Sequence, residues 1–121
     1  MSELATLRAD ILKALAQPTR LKIIELLRDG ERCVCEIFPA IDEEQSNTSR
    51  HLNMMLAVGV LSRRKERLKI FYSIRHPEIL EIVDIVTLIV KQETAGQALV
   101  IDGTVKFSGK VATAAEIKGM L

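Results

Sequence analysis

The protein has 121 residues, 48% of them hydrophobic, 27% charged and 3% aromatic, with a net charge of +1. This is the composition of a soluble globular domain with room for an appendage, and its core must be mostly Leu, Ile and Val. No N-terminal apolar run is long enough for a signal peptide, and no stretch approaches the roughly 18 to 20 residues of a membrane span, so no membrane partner and a cytoplasmic location are expected.

Residues 3–16 place Leu4, Leu7, Ile11, Leu12 and Leu15 at helical spacing, one stripe wide. Pro18 suits the first turn of a second helix, where an N–H has no partner anyway. Leu21, Ile23, Ile24, Leu26 and Leu27 make that helix a strongly buried one. Asp29-Gly30 ends it, with the glycine expected in the left-handed cap. Residues 34–40 predict a short third helix with Phe38 and Ile41 inward. Asp42 is the expected N-cap of the fourth helix, with Gln45 completing a capping box. Thr48, Leu52, Met55 and Leu56 then form its inward stripe, which leaves Gln45, Ser46, Asn47, Ser49 and Arg50 outside. Gly59 closes the helix. Residues 60–65 and 69–74 read as two strands joined at Glu66-Arg67. Pro77 opens a fifth helix running to about residue 91. It is apolar on nearly all sides and so must be buried on nearly all sides. One small domain covers one face, and a second copy of the chain is expected to cover the rest.

The remaining residues change character. Residues 98–102 and 104–107 flank Asp102-Gly103, a hairpin signal, and residues 112–121 predict a short helix. The expected division is therefore 1–93 for a first domain and 94–121 for a tail. The fold class is mainly α with a small β-hairpin wing: a winged helix-turn-helix, followed by a short ββα appendage.

The exposed front of the fourth helix fits a major groove, about 12 Å wide. Gln45 and Asn47 suit adenine edges, Arg50 suits guanine, and Ser46 and Ser49 suit bases or phosphate. His51 either touches phosphate or packs beneath the helix. Residues 63–69 hold Arg63, Arg64, Lys65, Arg67 and Lys69 against Glu66 alone, whereas residues 78–84 hold Glu78, Glu81 and Asp84 without a cation. Such asymmetry orients a protein on a polyanion even when the total charge is near zero. The wing cations are expected to hold phosphates, which gives affinity and register but little sequence information. A polar helix face alone is usually only solvated. Its occurrence in order with a glycine stop and a basic hairpin favours duplex DNA. A protein-interaction module is the rival. There is no C-x-x-C, no catalytic dyad and no cofactor loop, so an enzyme and a permanently bound cofactor are not expected.

Four segments occur in order: Leu15-Ala-Gln-Pro-Thr-Arg-Leu-Lys-Ile-Ile-Glu-Leu-Leu27, Cys33-Val-Cys35-Glu-Ile, Gln45-Ser-Asn-Thr-Ser-Arg-His-Leu52, and Gly59-Val-Leu with the basic wing. Over residues 8–90 the chain resembles the ArsR/SmtB family of metal-responsive repressors. The resemblance implies a homodimeric winged helix whose first and last helices form the dimer interface. It further implies binding to operator palindromes in double-stranded DNA, and departure when an effector binds.

Cys33 and Cys35 are the only cysteines. Positions i and i+2 of a regular helix point apart. Both sulfurs reach one ion only if the backbone at Cys33 departs from helical geometry, and binding there distorts the start of the third helix, one short turn from the fourth. Soft thiolates select soft or borderline metals and metalloids over Mg or Ca. The alternative is that both are small buried hydrophobes. The pair falls on the sensing motif of the family it resembles, which implies an As(III) or Sb(III) effector, or a soft divalent metal, held by Cys33 and Cys35. The match is partial. Phe38 stands where arsenic-sensing relatives often place a third cysteine, and residues 1–32 lack the arm cysteines of cadmium and lead sensors. The fifth helix offers Glu81 and Asp84 with no histidine beyond His76 for a zinc site. A reversible thiol–disulfide switch on the same pair is the competing reading.

Residues 98–121 resemble the closing hairpin and helix of small thioredoxin-like proteins. Gln97 stands where a proline usually precedes the first strand, and the amino-terminal half of that fold is missing, so thioredoxin activity is not implied. In a dimer the two tails are expected to pair or to dock on the winged domains; a mobile appendage is the alternative.

Overall fold

Gln17 and Pro18 set the first corner. The protein's structure, a computed structural model, describes residues 2–95. Helix α1 (Ser2–Leu15) stops just short of this corner. Gln17 is extended, and its Oε1 accepts from Arg20 N at 2.9 Å, capping α2 (Pro18–Leu26). Ile23 and Ile24 are fully buried, but Leu21 is 37% exposed and Leu26 half-buried, so α2 buries less than its apolar count predicts. The 3₁₀ turn Leu27–Asp29 closes the helix, with Gly30 N donating to Leu27 O at 3.1 Å. Gly30 takes φ 140° and ψ 177° rather than the left-handed cap expected for it, because the 3₁₀ turn has already reversed the chain and β1 must leave extended.

Strand β1 (Arg32–Cys33) was not foreseen; two residues leave no periodic signal. It feeds directly into α3 (Val34–Ala40). Ile37 is fully buried and Ile41 nearly so, whereas Phe38 is only half-buried. The corner to α4 (Gln45–Ala57) also differs from expectation. Asp42 adopts φ 58°, a left-handed position that Asp tolerates, and its N–H donates to Pro39 O at 3.2 Å to finish α3. The N-cap of α4 is therefore Glu44, with no side-chain cap bond, and Gln45 completes no capping box there.

In α4, Thr48, Leu52 and Met55 are fully buried, as the stripe predicts. Gly59 (φ 85°) donates to Leu56 O at 3.1 Å and Val60 to Met55 O at 3.0 Å. These are the two bonds of a Schellman cap, with glycine in its left-handed position. Strands β2 (Leu61–Glu66) and β3 (Lys69–Ile74) form the wing, and β1 joins it in a three-stranded antiparallel sheet of order β1-β3-β2. Cys33 pairs with Phe71, and Phe71 with Arg64. Ile23, Ile24, Ile37, Leu52, Met55, Val60 and Leu61 are the fully buried apolar core. Burying each such side chain stabilises by roughly 1.5–3 kcal/mol.

Helix α5 (Glu78–Ala95) crosses from a first compact unit, Met1–Leu80, into a second that begins at Glu81. Ile85, Val86, Leu88 and Ile89 on α5 are exposed, as are Leu4, Leu7 and Leu12 on α1. No helix among the described residues is long and apolar enough to cross a membrane. The predicted tail hairpin and helix, residues 98–121, lie outside the described residues.

Candidate nucleic-acid interface and thiol site

The front of α4 carries the expected polar set. Gln45, Ser46 and Arg50 are exposed; Asn47 and Ser49 are half-buried. Two of these side chains are tied together. Asn47 Nδ2 donates to Glu43 Oε1 at 2.6 Å, and Arg50 Nη2 donates to Asn47 Oδ1. The three-residue spacing puts Asn47 and Arg50 on one face of α4, and Glu43 reaches Asn47 from just before the N-cap.

Of the two places expected for His51, the ring takes the one beneath the helix. Arg20 Nε donates to its Nδ1 at 3.1 Å, and Arg20 Nη1 donates to Lys13 O at 3.2 Å. Arg20 thus ties the end of α1, α2 and α4 together. Partial burial holds the His51 pKa below its ordinary value, and the charges of Arg20 and Arg50 push the same way. With Nδ1 accepting, the neutral ring carries its proton on Nε2.

Arg63, Arg64, Lys65, Arg67 and Lys69 are all exposed on the wing, with Arg67 at the turn (φ 59°). Arg64 differs from the other four. Its Nε and Nη2 donate to the two Glu31 carboxylate oxygens at 2.9 and 2.5 Å, and Nη1 donates to Glu66 Oε1 at 2.6 Å. Its guanidinium carbon also lies 4.8 Å from the Phe71 ring centroid. The hydrogen bond from Arg64 lowers the Glu31 pKa, and the two carboxylates raise that of Arg64. Sequence reasoning missed Glu31, which stands 33 positions from Arg64 with no local spacing to link them.

The cysteines sit where the sheet turns into α3. Cys33 is extended (φ −72°, ψ 147°) and is the N-cap of that helix. Its sulfur accepts from Cys35 N at 3.2 Å, while Glu36 Oε1 accepts from Cys33 N at 3.0 Å, completing a capping box. The backbone therefore makes the departure from helical geometry that lets both sulfurs converge. The two are joined as a disulfide, with their Cα atoms 5.1 Å apart. Cys33 is buried and Cys35 exposed, so the pair is reachable from one side. Reduction of the pair would leave two neighbouring sulfurs, and soft thiolates suit a thiophilic ion. Among the described residues, no group of three or more His, Cys, Asp or Glu side chains is placed to hold a metal ion.

The polar front of α4, the preceding α3 and the basic wing of β2 and β3 define a winged helix-turn-helix fold. The signature of the bacterial regulatory proteins of the arsR family matches residues 17–63. The chain is 39% identical over 79 residues to an HTH-type transcriptional regulator of Methanocaldococcus jannaschii, spanning 64% of this chain and 89% of that one. It is 37% identical over 75 residues to the arsenic resistance transcriptional regulator of Pseudomonas putida, spanning 61% of this chain and 58% of that one. A homodimeric winged helix-turn-helix DNA-binding domain of Mycobacterium bovis, solved in solution, superposes with a TM-score of 0.72 at 26% identity, covering 78% of this chain and 88% of that one. The chain belongs to the ArsR family of transcriptional regulators; it is a DNA-binding protein and not an enzyme.

Proposed function

We propose that the protein is a homodimeric cytoplasmic repressor that leaves its operator when thiol chemistry alters the Cys33/Cys35 pair. In this reading α4 enters the major groove with Gln45, Ser46, Ser49 and Arg50 forward, and Arg63, Lys65, Arg67 and Lys69 hold backbone phosphates. Arg64 reaches DNA only in competition with Glu31 and Glu66. His51 acts from beneath the helix, through Arg20. The effector favoured is As(III) or Sb(III), held by two thiolates of this chain and a third ligand that is not cysteine, with a soft divalent metal next in line.

The observation that carries this reading is the double role of Cys33. Its sulfur caps α3 and its backbone pairs with Phe71 of the wing. Binding a metalloid takes the sulfur away from Cys35 N. The start of α3 and the β1 edge of the wing sheet, which meet at Cys33, then change together just before α4. A second reading is supported by the disulfide between the two sulfurs: oxidation of the pair, rather than a metalloid, releases DNA. Reduced protein on duplex DNA from upstream of its own gene, titrated with arsenite, antimonite, cadmium, zinc and an oxidant, separates the two. Release by arsenite in the presence of excess monothiol supports the metalloid; release by oxidant alone supports the redox switch; release by neither overturns both.

A further inference from the structure

A polar chain that the sequence pattern does not reveal runs from just before α4 into its front: Glu43 to Asn47 to Arg50. We propose that Glu43 and Asn47 are positioning residues that fix the base pair read by Arg50, and that Asn47 does not itself read adenine. This rests on the reading that α4 enters the major groove.

The argument begins with the valence of an amide. Asn has one oxygen and two N–H donors. Reading adenine bidentately uses that oxygen to accept from the base amino group and an N–H to donate to the ring nitrogen. In this protein the oxygen accepts from Arg50 Nη2, and Nδ2 donates to Glu43 Oε1 at 2.6 Å. Each end of the amide has one partner and keeps one further site, a lone pair on the oxygen and an N–H on the nitrogen, but Glu43 and Arg50 now fix the direction of both. Its orientation is set by charge rather than by choice of assignment. Reversed, its oxygen would face the Glu43 carboxylate and its N–H groups the Arg50 guanidinium, and both contacts would repel.

Arg50 is left with donors to offer. A guanidinium has five N–H groups, and one goes to Asn47. The remaining edge suits the paired acceptors of guanine. Holding a flexible arginine in one direction before it meets DNA lowers the entropy cost of that contact and restricts which step it reaches. Glu43 is otherwise an awkward neighbour for a polyanion, since a carboxylate beside the groove weakens binding to every sequence. Specificity gained through Arg50 accounts for that charge.

The test is a base-by-base binding profile of the full chain on its operator at one salt concentration. Each base pair is substituted in turn for wild type, Arg50→Ala, Asn47→Ala, Glu43→Ala and Glu43→Gln, with folding verified by circular dichroism. Arg50→Ala should lose about tenfold or more discrimination at one base pair of each half-site. Asn47→Ala and Glu43→Ala should flatten that same base pair and no other, and Glu43→Ala should also bind random duplex more tightly. Glu43→Gln keeps an acceptor for Asn47 without the charge, so it should retain the preference while gaining random-duplex affinity. Loss of an adenine preference in Asn47→Ala, with the Arg50 position untouched, would overturn the proposal. So would an unchanged profile in Glu43→Ala. If wild type and Arg50→Ala discriminate no bases at all, the major-groove reading itself is what fails.

Discussion

Thr48 is the one side chain in the described core whose chemistry does not match its place. It is fully buried, and its hydroxyl has no hydrogen-bond partner among the described residues. An unpaired buried hydroxyl is unfavourable, and valine has nearly the same shape. Thr48→Val should therefore raise stability by about 1 kcal/mol in urea melts, with operator affinity unchanged; a loss would reveal a partner that the hydroxyl finds in solution. His51 gives a second expectation. Its folded-state pKa lies below the ordinary histidine value of about 6.5, chiefly through partial burial. A depressed histidine pKa means that the unfolded chain binds the proton more readily. Stability is then fully present above the unfolded value, and falls as pH drops from there toward the folded one. His51→Gln should remove that part of the acid sensitivity in thermal melts between about pH 7 and 5, and identical profiles would contradict the assignment. The outward set on α4 was legible from the helical period alone. The contacts of His51 with Arg20, 31 positions away, and of Arg64 with Glu31 were not, because no spacing rule links residues so far apart in the chain.

Among the elements, α3 binds most tightly to function. Its first turn is capped by a sulfur, with Glu36 returning the second bond of the box. Cys33-Val-Cys-Glu36 has the S/T-x-x-E pattern with a thiol in place of a hydroxyl, so the signal was present in the sequence but in unfamiliar form. Glu36→Ala should cost about 1 kcal/mol of stability, whereas Cys33→Ser should cost little, since serine is a good N-cap. Urea midpoints of the two variants decide this, and equal losses would mean that the sulfur contributes more than a cap. The helices were legible from the spacing of their apolar residues, and the wing from a basic run after Gly59 with a turn at Glu66-Arg67. The ends were less so. Asp42 looked like an N-cap because it precedes a polar helix, but finishing α3 requires a left-handed residue there, and that requirement moves the start of α4 to Glu44. Strand β1 owes its existence to its partner β3 rather than to its own two residues.

For the whole molecule, the exposed apolar surfaces matter most. Leu4, Leu7 and Leu12 on α1, and Ile85, Leu88 and Ile89 on α5, are each about half exposed. Monomeric proteins rarely leave so much apolar surface in water, and a two-fold partner is the simplest cover. Leu88→Asp should shift the protein from dimer to monomer in sedimentation and weaken operator binding at least tenfold, because two half-sites must be held together. A dimer that survives with full affinity would place the interface elsewhere. That a fifth helix so apolar needs a partner was legible in the sequence; the way Cys33 belongs at once to a helix cap and to the wing was not. The central claim is that chemistry at this pair is what loosens DNA. The most direct measurement is fluorescence anisotropy of labelled operator with reduced wild type, Cys33→Ser and Cys35→Ser during addition of arsenite. All three should bind DNA alike at the start, and only wild type should let go. Release of either serine variant at the same arsenite dose would contradict the account.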